Sequence, residues 1–232
     1  MIGCFPTFAI GNIAYDEESL PDLMIYVEDN YAKRLLFSFY KFFAQEKFKE
    51  ASKMPSIKTI PIGGFKEVIS FLDRNRSVLP KNVIQKTALD KDVKEESLQS
   101  FRKENQYAIL DKFKKCEKDI SYLPFTPEVG IVEFIQENTI LFEASIRESF
   151  DDNQIRINGY ISEFNPDLSG KPQRKSAKKI MEELTLYLTE KTETPEEVVL
   201  DRISLIFATL SWDKYRSDFM KLFGSMLTKG KK

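Results

Sequence analysis

The residues best suited to chemistry in this chain are three carboxylates that follow short apolar segments. Glu28 follows the run LMIYV, and Asp90 and Asp92 follow VIQKTAL in an Asp-x-Asp pattern. Crowded carboxylates raise one another's pKa unless a cation neutralises them. Mg²⁺ prefers oxygen ligands, and a metal held by carboxylates activates water and stabilises charge on a phosphoryl oxygen. The three acids therefore predict a divalent-metal site that could activate water and stabilise charge on a phosphoryl oxygen.

The segments around these acids alternate between strand-like and helix-like patterns. Short apolar runs rich in strand formers are typical of buried parallel strands, and apolar residues at helical spacing indicate amphipathic helices. Such alternation predicts an α/β fold with a parallel sheet and right-handed crossovers. The expected strands are 23–28, 56–62, 83–89 and 120–125, and the expected helices are 32–48, 65–75, 95–115 and 127–150.

A parallel sheet of this kind binds ligands beyond the carboxyl ends of its strands. Glu28, the Gly63–Gly64 pair, Asp90 and Asp92 all follow strands, so we expect them along one edge. A lone Asp-x-Asp is more often a charged turn. The ordered series of strand–Glu, strand–Gly-Gly and strand–Asp-x-Asp is what favours a metal site.

Composition excludes several classes of enzyme. The 232 residues include no His and only two Cys, Cys4 and Cys116. Zinc sites draw mainly on Cys and His, so none is expected, and Ser–His and Cys–His nucleophile pairs are excluded. The net charge of −1 argues neither for nor against nucleic acid. Two unpaired cysteines, no secretory signal and no apolar run of about 18 residues predict a soluble cytoplasmic protein without a membrane partner.

Three segments carry a resemblance to a known family. YVEDNYAKRLL, TIPIGGFKEVISFL and TALDKD resemble the TOPRIM domain of some nucleases, topoisomerases and primases. The resemblance covers about residues 20–140. It implies that Glu28, Asp90 and Asp92 bind Mg²⁺, with Mn²⁺ as the alternative, and act on phosphodiester bonds. We therefore divide the chain into an N-terminal segment (1–20), which belongs to or contacts an upstream domain, a TOPRIM domain (21–165) and a helical C-terminal region (166–232).

Within that family, the chain is most similar to OLD-type nucleases, which accompany an ABC-type ATPase in phage defence. The segment LPFTPEVGIVEFI resembles the part of those proteins in which a further acid joins a second metal. The resemblance therefore implies Glu128 or Glu133 as an additional metal ligand. A helix dipole explains an acid at position 128 equally well.

OLD-type nucleases also carry a late catalytic lysine, for which Lys175, Lys178 and Lys179 are candidates. We select Lys175 for that role. These lysines lie in a basic segment, SGKPQRKSAKK, which we interpret as a loop leading into a helix and as a non-specific contact for the phosphate backbone. The nucleic-acid-binding candidates are Lys171, Arg174, Lys175, Lys178 and Lys179.

The chain departs from the family pattern at two positions. Asp29 stands where the family has Gly, and Ala32 stands where it often has a second acid. Asp29 either compensates for that acid or caps the following helix, and two-metal catalysis is in question. The chain also lacks a Walker A motif, so it has no nucleotide site of its own. A coupled ATPase would act in trans or from a missing N-terminal domain.

Two other interpretations follow from the sequence. IYVEDNYAKRLL also resembles the first strand of a receiver domain, with Asp73 as phosphate acceptor. Asp73, however, lies in a run with helical spacing rather than after an apolar strand, and a receiver would leave the Gly-Gly and Asp-x-Asp elements unexplained. The other interpretation is a non-catalytic TOPRIM-like scaffold for an ATPase. DNA is favoured as substrate over RNA, including tRNA. The C-terminal region shows three helical patterns, 181–191, 195–210 and 213–227, which either complete the core or dock an ATPase or another copy of the chain. Its apolar stripe consists of Leu200, Ile203, Leu205, Ile206 and Leu210.

Overall fold

The computed structural model describes residues 20–76, 78–104 and 106–228. The expected N-terminal segment therefore lies outside the described residues, apart from Leu20. Within the described ranges, no helix is both long enough and apolar enough to cross a bilayer.

The sheet has four parallel strands in the order β2-β1-β3-β4. Every residue of β1 is buried, because β1 has strands on both sides and helices on both faces. This burial explains why its sequence is apolar throughout rather than alternating. The strands are β1 (Leu23–Val27), β2 (Ile57–Pro61), β3 (Ile84–Leu89) and β4 (Ile120–Tyr122).

Helices cover both faces of the sheet and continue into the C-terminal region. Besides the α-helices, the described residues form two 3₁₀ turns, Ala51–Lys53 and Glu117–Asp119, and a π-helical turn, Val93–Ser97. The α-helices within these ranges are α1 (Asn30–Lys47), α2 (Phe65–Asn75), α3 (Leu98–Lys103), α4 (Tyr107–Cys116), α5 (Pro127–Glu137), α6 (Thr139–Phe150), α7 (Asn158–Ile161), α8 (Gly170–Thr192) and α9 (Glu196–Leu227).

The long helix α9 packs against α1 in the larger of two hydrophobic clusters. Phe39 of α1 stacks on Phe219 of α9, with ring centroids 3.8 Å apart. A smaller cluster joins the other sheet face to α2 and α4. The α/β class, the parallel sheet flanked by helices and the helical C-terminal extension are therefore confirmed. In the apolar stripe, Ile203 is fully buried, whereas Leu205 is 39% exposed.

Two expected helices are wrong as continuous elements. The helix expected over 95–115 is divided into the π-helical turn, α3 and α4. The helix expected over 127–150 breaks at Asn138, whose side-chain amide donates to the carbonyl of Phe134. An Asn side chain that bonds to the backbone offers an alternative to continued helix, which favours a break.

The helices expected in the C-terminal region also differ from those in the structure. Two of its expected helices, 195–210 and 213–227, form the single helix α9. No Gly or Pro lies between them, and the Ser211 hydroxyl bonds to the carbonyl of Phe207 within the helix. The expected basic loop, 169–179, is instead helical from Gly170 onward. Its cations therefore stand in the first turns of a rigid helix.

Candidate active site

Glu28 and Asp90 lie side by side at the carboxyl edge of the sheet. Each directly follows its strand, β1 or β3, and these strands are neighbours. The backbone N–H of Asp90 donates to Oε1 of Glu28 at 3.1 Å. On the other side, the N–H of Gly63 donates to the carbonyl of Glu28 at 3.0 Å. Gly63 has a φ of 131°, a conformation that favours glycine and turns the chain from β2 towards α2.

Asp90 is the most enclosed of the expected metal ligands. Its side chain is buried, and its Oδ1 has no hydrogen-bond partner. Burial, followed by the charges of Glu28 and Asp29, raises the pKa of Asp90 well above its usual range. An ionised carboxylate in this position would need a cation, because a buried unpaired charge is costly.

Glu28 shares this environment. Burial raises its pKa to about 7, hydrogen bonds from the backbone of Asp90 and Phe65 oppose the rise, and the charge of Asp92 adds to it. Phe65 is the first residue of α2, so Glu28 lies where the positive end of that helix points. The site therefore combines several negative charges with backbone N–H groups that partly stabilise the ionised form of Glu28.

Asp92 is bound by groups outside this pair. Its Oδ1 accepts a hydrogen bond from the Thr126 hydroxyl at 3.0 Å. Its Oδ2 lies 3.4 Å from Nε of Arg174. Thr126 occupies the N-cap position of α5, but its side chain makes no capping hydrogen bond. The Thr126 hydroxyl therefore orients a carboxylate of the candidate site rather than capping α5.

Glu128 lies close enough to these acids to interact with them. It is buried in the first turn of α5, and its burial and the charge of Asp29 raise its pKa to about 7. Lys178 opposes that rise. Asp29 itself caps α1, since its Oδ1 accepts from the N–H of Ala32 at 2.9 Å. The capping role therefore describes Asp29 in this structure.

Glu133 has a different surrounding. Its Oε1 accepts a hydrogen bond from Nε2 of Gln173 at 2.8 Å. Both residues line a cavity that also contains Asp92 and Arg174. The structure thus places Glu133 across that cavity, in contact with α8.

The basic residues of α8 divide into two groups. Arg174 reaches the acidic edge and also makes two hydrogen bonds to the carboxylate of Glu96. Lys178 lies one helical turn later, and its charge opposes the rise in the pKa of Glu128. Lys179 instead pairs with Glu163 and Glu183, away from the expected metal ligands. The remaining two expected cations, Lys171 and Lys175, are exposed.

The donor chemistry fits a hard divalent cation, with one restriction. All the side chains are oxygen donors, as Mg²⁺ prefers. Oδ1 of Asp90 has no hydrogen-bond partner, and Glu28 accepts a hydrogen bond from the Asp90 backbone. Among the described residues, no three acidic or cysteine side chains are already arranged to hold a metal ion. Glu28 and Asp90 are neighbours at the sheet edge, whereas Oδ2 of Asp92 lies next to Arg174.

Three participants were not identified from the sequence as parts of the site. Glu96 binds Arg174, Gln173 binds Glu133, and the Thr126 hydroxyl binds Asp92. Each contact joins residues far apart in the chain, so no local pattern indicates it. Asp73 lies within α2, as its helical spacing predicts, so the structure agrees with the sequence argument against a receiver domain.

Comparisons with known proteins add little to this description. No protein-family model matches the chain. No curated protein matches it in sequence. The solved structure of the C-terminal region of the Xanthomonas campestris pv. campestris OLD protein is similar over 85% of this chain and 97% of that chain, with 12% sequence identity and a TM-score of 0.37. A similarity of this size identifies neither a substrate nor a site residue.

Proposed function

We propose that this chain is a Mg²⁺-dependent nuclease of the TOPRIM type, which hydrolyses phosphodiester bonds in nucleic acid. The observation that carries the proposal is the pair formed by Glu28 and Asp90. At the sheet edge, the carboxylate of the half-buried Glu28 accepts a hydrogen bond from the backbone N–H of Asp90, and Oδ1 of the buried Asp90 has no partner. A structural role would favour pairing these acids with Lys or Arg, whereas a cation-binding role leaves their oxygens available.

Glu28 and Asp90 would hold the cation, with Asp92 and Glu128 as the further acids within electrostatic reach. When bound, a divalent metal supplies a water of lowered pKa and neutralises charge on a phosphoryl oxygen. The backbone of Asp90 and of Phe65 keeps Glu28 oriented towards the site. Mg²⁺ is the expected cation and Mn²⁺ the alternative.

Arg174 and Lys178 would bind the substrate phosphates. Both lie on α8 and face the acids, so a backbone placed between α8 and the sheet edge would contact cations on one side and the metal on the other. An arginine suits a phosphate because its guanidinium donates in a fork. Lys175 and Lys178 are both exposed, and we prefer Lys178 as the catalytic lysine because its charge opposes the rise in the pKa of Glu128.

The substrate and biological setting rest on the sequence resemblance. The similarity of YVEDNYAKRLL, TIPIGGFKEVISFL and TALDKD to TOPRIM segments of OLD-type nucleases supports DNA before RNA or tRNA as substrate. It also supports the role of effector in an ATPase-coupled anti-phage system, with an ABC-type ATPase as partner.

Cleavage of single-stranded DNA, linear and supercoiled duplex DNA and tRNA tests the proposal, with Mg²⁺, Mn²⁺ or a chelator. We expect metal-dependent cleavage by the wild-type chain and at least a hundredfold loss in Asp90→Asn, since asparagine preserves shape but not charge. Asp111→Asn, at an exposed acid on α4, is the matched control and should cut normally. An Asp90→Asn protein that cuts at the wild-type rate would end the proposal.

A non-catalytic scaffold is the second candidate. The contact between Asp92 and Arg174 and the presence of Ala32 in place of an acid favour it. A scaffold would bind an ATPase partner equally well as the wild type or as Asp90→Asn, and neither form would cleave. Metal-dependent cleavage that requires Asp90 excludes it.

A further inference from the structure

A cavity of about 320 Å³ opens beside Asp92, between the carboxyl edge of the sheet and the start of α8. It adjoins the acidic pair but does not include it. Its volume is at the lower end of small-ligand sites in proteins, which run from about 300 to 1,000 Å³. The cavity is therefore too small for a duplex and large enough for a ligand such as a single nucleoside.

Two polar pairs contribute to the lining of the cavity. Asp92 and Arg174 form the ion pair next to the proposed catalytic edge. Nε2 of Gln173 donates to Oε1 of Glu133 at 2.8 Å. A phosphate could meet Arg174 while a polar group of the same ligand meets the Gln173–Glu133 pair.

The lining of the cavity also includes two apolar side chains. Phe125 and Val129 line the cavity and are otherwise buried, at 7% and 8% exposure. Nucleobases combine flat apolar faces with a polar edge that bears donors and acceptors, and proteins bind unstacked bases with aromatic or apolar surfaces and amide or carboxylate side chains. Gln173 offers both a carbonyl and an amide, and Glu133 offers an acceptor.

From this arrangement we infer that the cavity is a subsite for one unstacked nucleobase, that of the nucleotide adjoining the scissile phosphate. The inference rests on the proposed nuclease function and extends it to a substrate class: nucleic acid that is single-stranded or readily unpaired at the cut. A base inside a duplex would first have to be extruded, at the cost of stacking and pairing.

Cleavage of matched oligonucleotides tests the subsite. A single-stranded substrate is compared with versions that carry an abasic site on either side of the cut. We expect the wild type to cut one abasic version at least tenfold more slowly. Gln173→Leu, which keeps the size and removes the amide, should reduce the rate on the intact substrate and make the two rates similar. Gln154→Leu, at an exposed position, is the matched control.

Equal cleavage of intact and abasic substrates by the wild type would overturn the subsite and leave the nuclease proposal intact. So would an undiminished abasic effect in Gln173→Leu. A second variant, Glu133→Gln, keeps the test available if Gln173→Leu fails to fold, because it should change the preference among bases without removing the cavity.

A binding measurement separates the two proposals. A trinucleotide with 2-aminopurine at its centre is titrated into each protein in chelator, and its fluorescence is followed. Binding by the wild type that weakens at least tenfold in Gln173→Leu supports the subsite even if no cleavage is found, in which case the proposed function alone fails. Binding that is equal in both proteins contradicts the subsite.

Discussion

Nε of Arg174 lies 3.4 Å from Oδ2 of Asp92, so α8 places a cation on a carboxylate that a metal would otherwise use. The same guanidinium binds Glu96 through two hydrogen bonds. Arg174 therefore joins α8 to the acidic edge before any substrate arrives. This contact has opposite consequences for metal binding and for substrate binding, and the two can be measured separately.

Replacing Arg174 with Ala should strengthen Mg²⁺ binding and weaken cleavage. The loss of the cation leaves Asp92 without its neutralising partner, which favours a metal. It also removes a phosphate contact, so we expect cleavage to fall at least tenfold and the slope of log affinity against log salt to decrease by about one. Calorimetry measures the affinity for Mg²⁺. Cleavage assays at several salt concentrations measure the rate and the salt dependence of substrate binding.

Lys179→Ala is the control for this experiment, because Lys179 pairs with Glu163 and Glu183 away from the acids. It should alter neither the metal affinity nor the salt slope. An Arg174→Ala protein whose salt slope equals that of the wild type would show that Arg174 does not contact phosphate.

Asp90→Asn should stabilise the metal-free protein while abolishing stabilisation by metal. Burial and the surrounding acids disfavour the ionised form of Asp90, and its Oδ1 has no partner. A neutral amide removes that charge repulsion, so the melting temperature in chelator should rise by a few degrees, as a change of about 1 kcal/mol produces. Added Mg²⁺ should raise the melting temperature of the wild type but not of the variant.

Asp111→Asn, at an exposed residue of α4, is the control, and Mg²⁺ should raise its melting temperature as much as that of the wild type. A different rise would show that the effect of the metal is not local to Asp90. An Asp90→Asn protein that Mg²⁺ still stabilises as much as the wild type would show that the cation binds elsewhere.

The relation between Glu28 and Asp90 could be predicted from the sequence, whereas that between Arg174 and Asp92 could not. Continuous apolar runs identify β1 and β3 as buried parallel strands, and residues that follow neighbouring parallel strands must meet at one edge. The position of α8 depends instead on its packing against α5 and α9, and no local sequence pattern specifies that packing. Asp29 caps α1 through a local hydrogen bond, whereas the Thr126 hydroxyl binds the distant Asp92 instead of capping α5.

Gly130→Ala should destabilise the fold because Phe125 occupies the space that a side chain would need. A Cβ at Gly130 would lie 2.6 Å from Cγ of Phe125, and that ring is packed against Phe207 and Tyr215. Overpacking of this kind costs roughly 1–3 kcal/mol. Urea denaturation should show a lower midpoint.

Gly224→Ala provides the matched control for that substitution. Gly224 lies within α9, and nothing within 4 Å would meet its Cβ. Alanine should therefore stabilise the helix by up to about 1 kcal/mol. Equal effects of the two substitutions would contradict the close approach of α5 to Phe125.

Stability in the absence of metal should fall as pH rises from about 4.5 to 7. Burial raises the pKa values of Glu28 and Glu128 from 4.5 to about 7, so within this window the folded chain binds more protons than the unfolded chain. The free energy of unfolding decreases with pH wherever the folded state holds the extra protons. Each group contributes up to about 3 kcal/mol, and the stability present below pH 4.5 is lost once both ionise.

Urea denaturation across this pH range, in chelator and in Mg²⁺, measures the effect. Glu28→Gln should flatten the pH dependence in chelator, because the amide does not titrate, whereas Glu148→Gln, at an exposed position, should not. Mg²⁺ should restore stability near pH 7, where the carboxylates are ionised and able to bind it, and have less effect near pH 5, where protons occupy them. A decline of equal size with and without Mg²⁺ would mean that no cation binds these carboxylates in the folded chain.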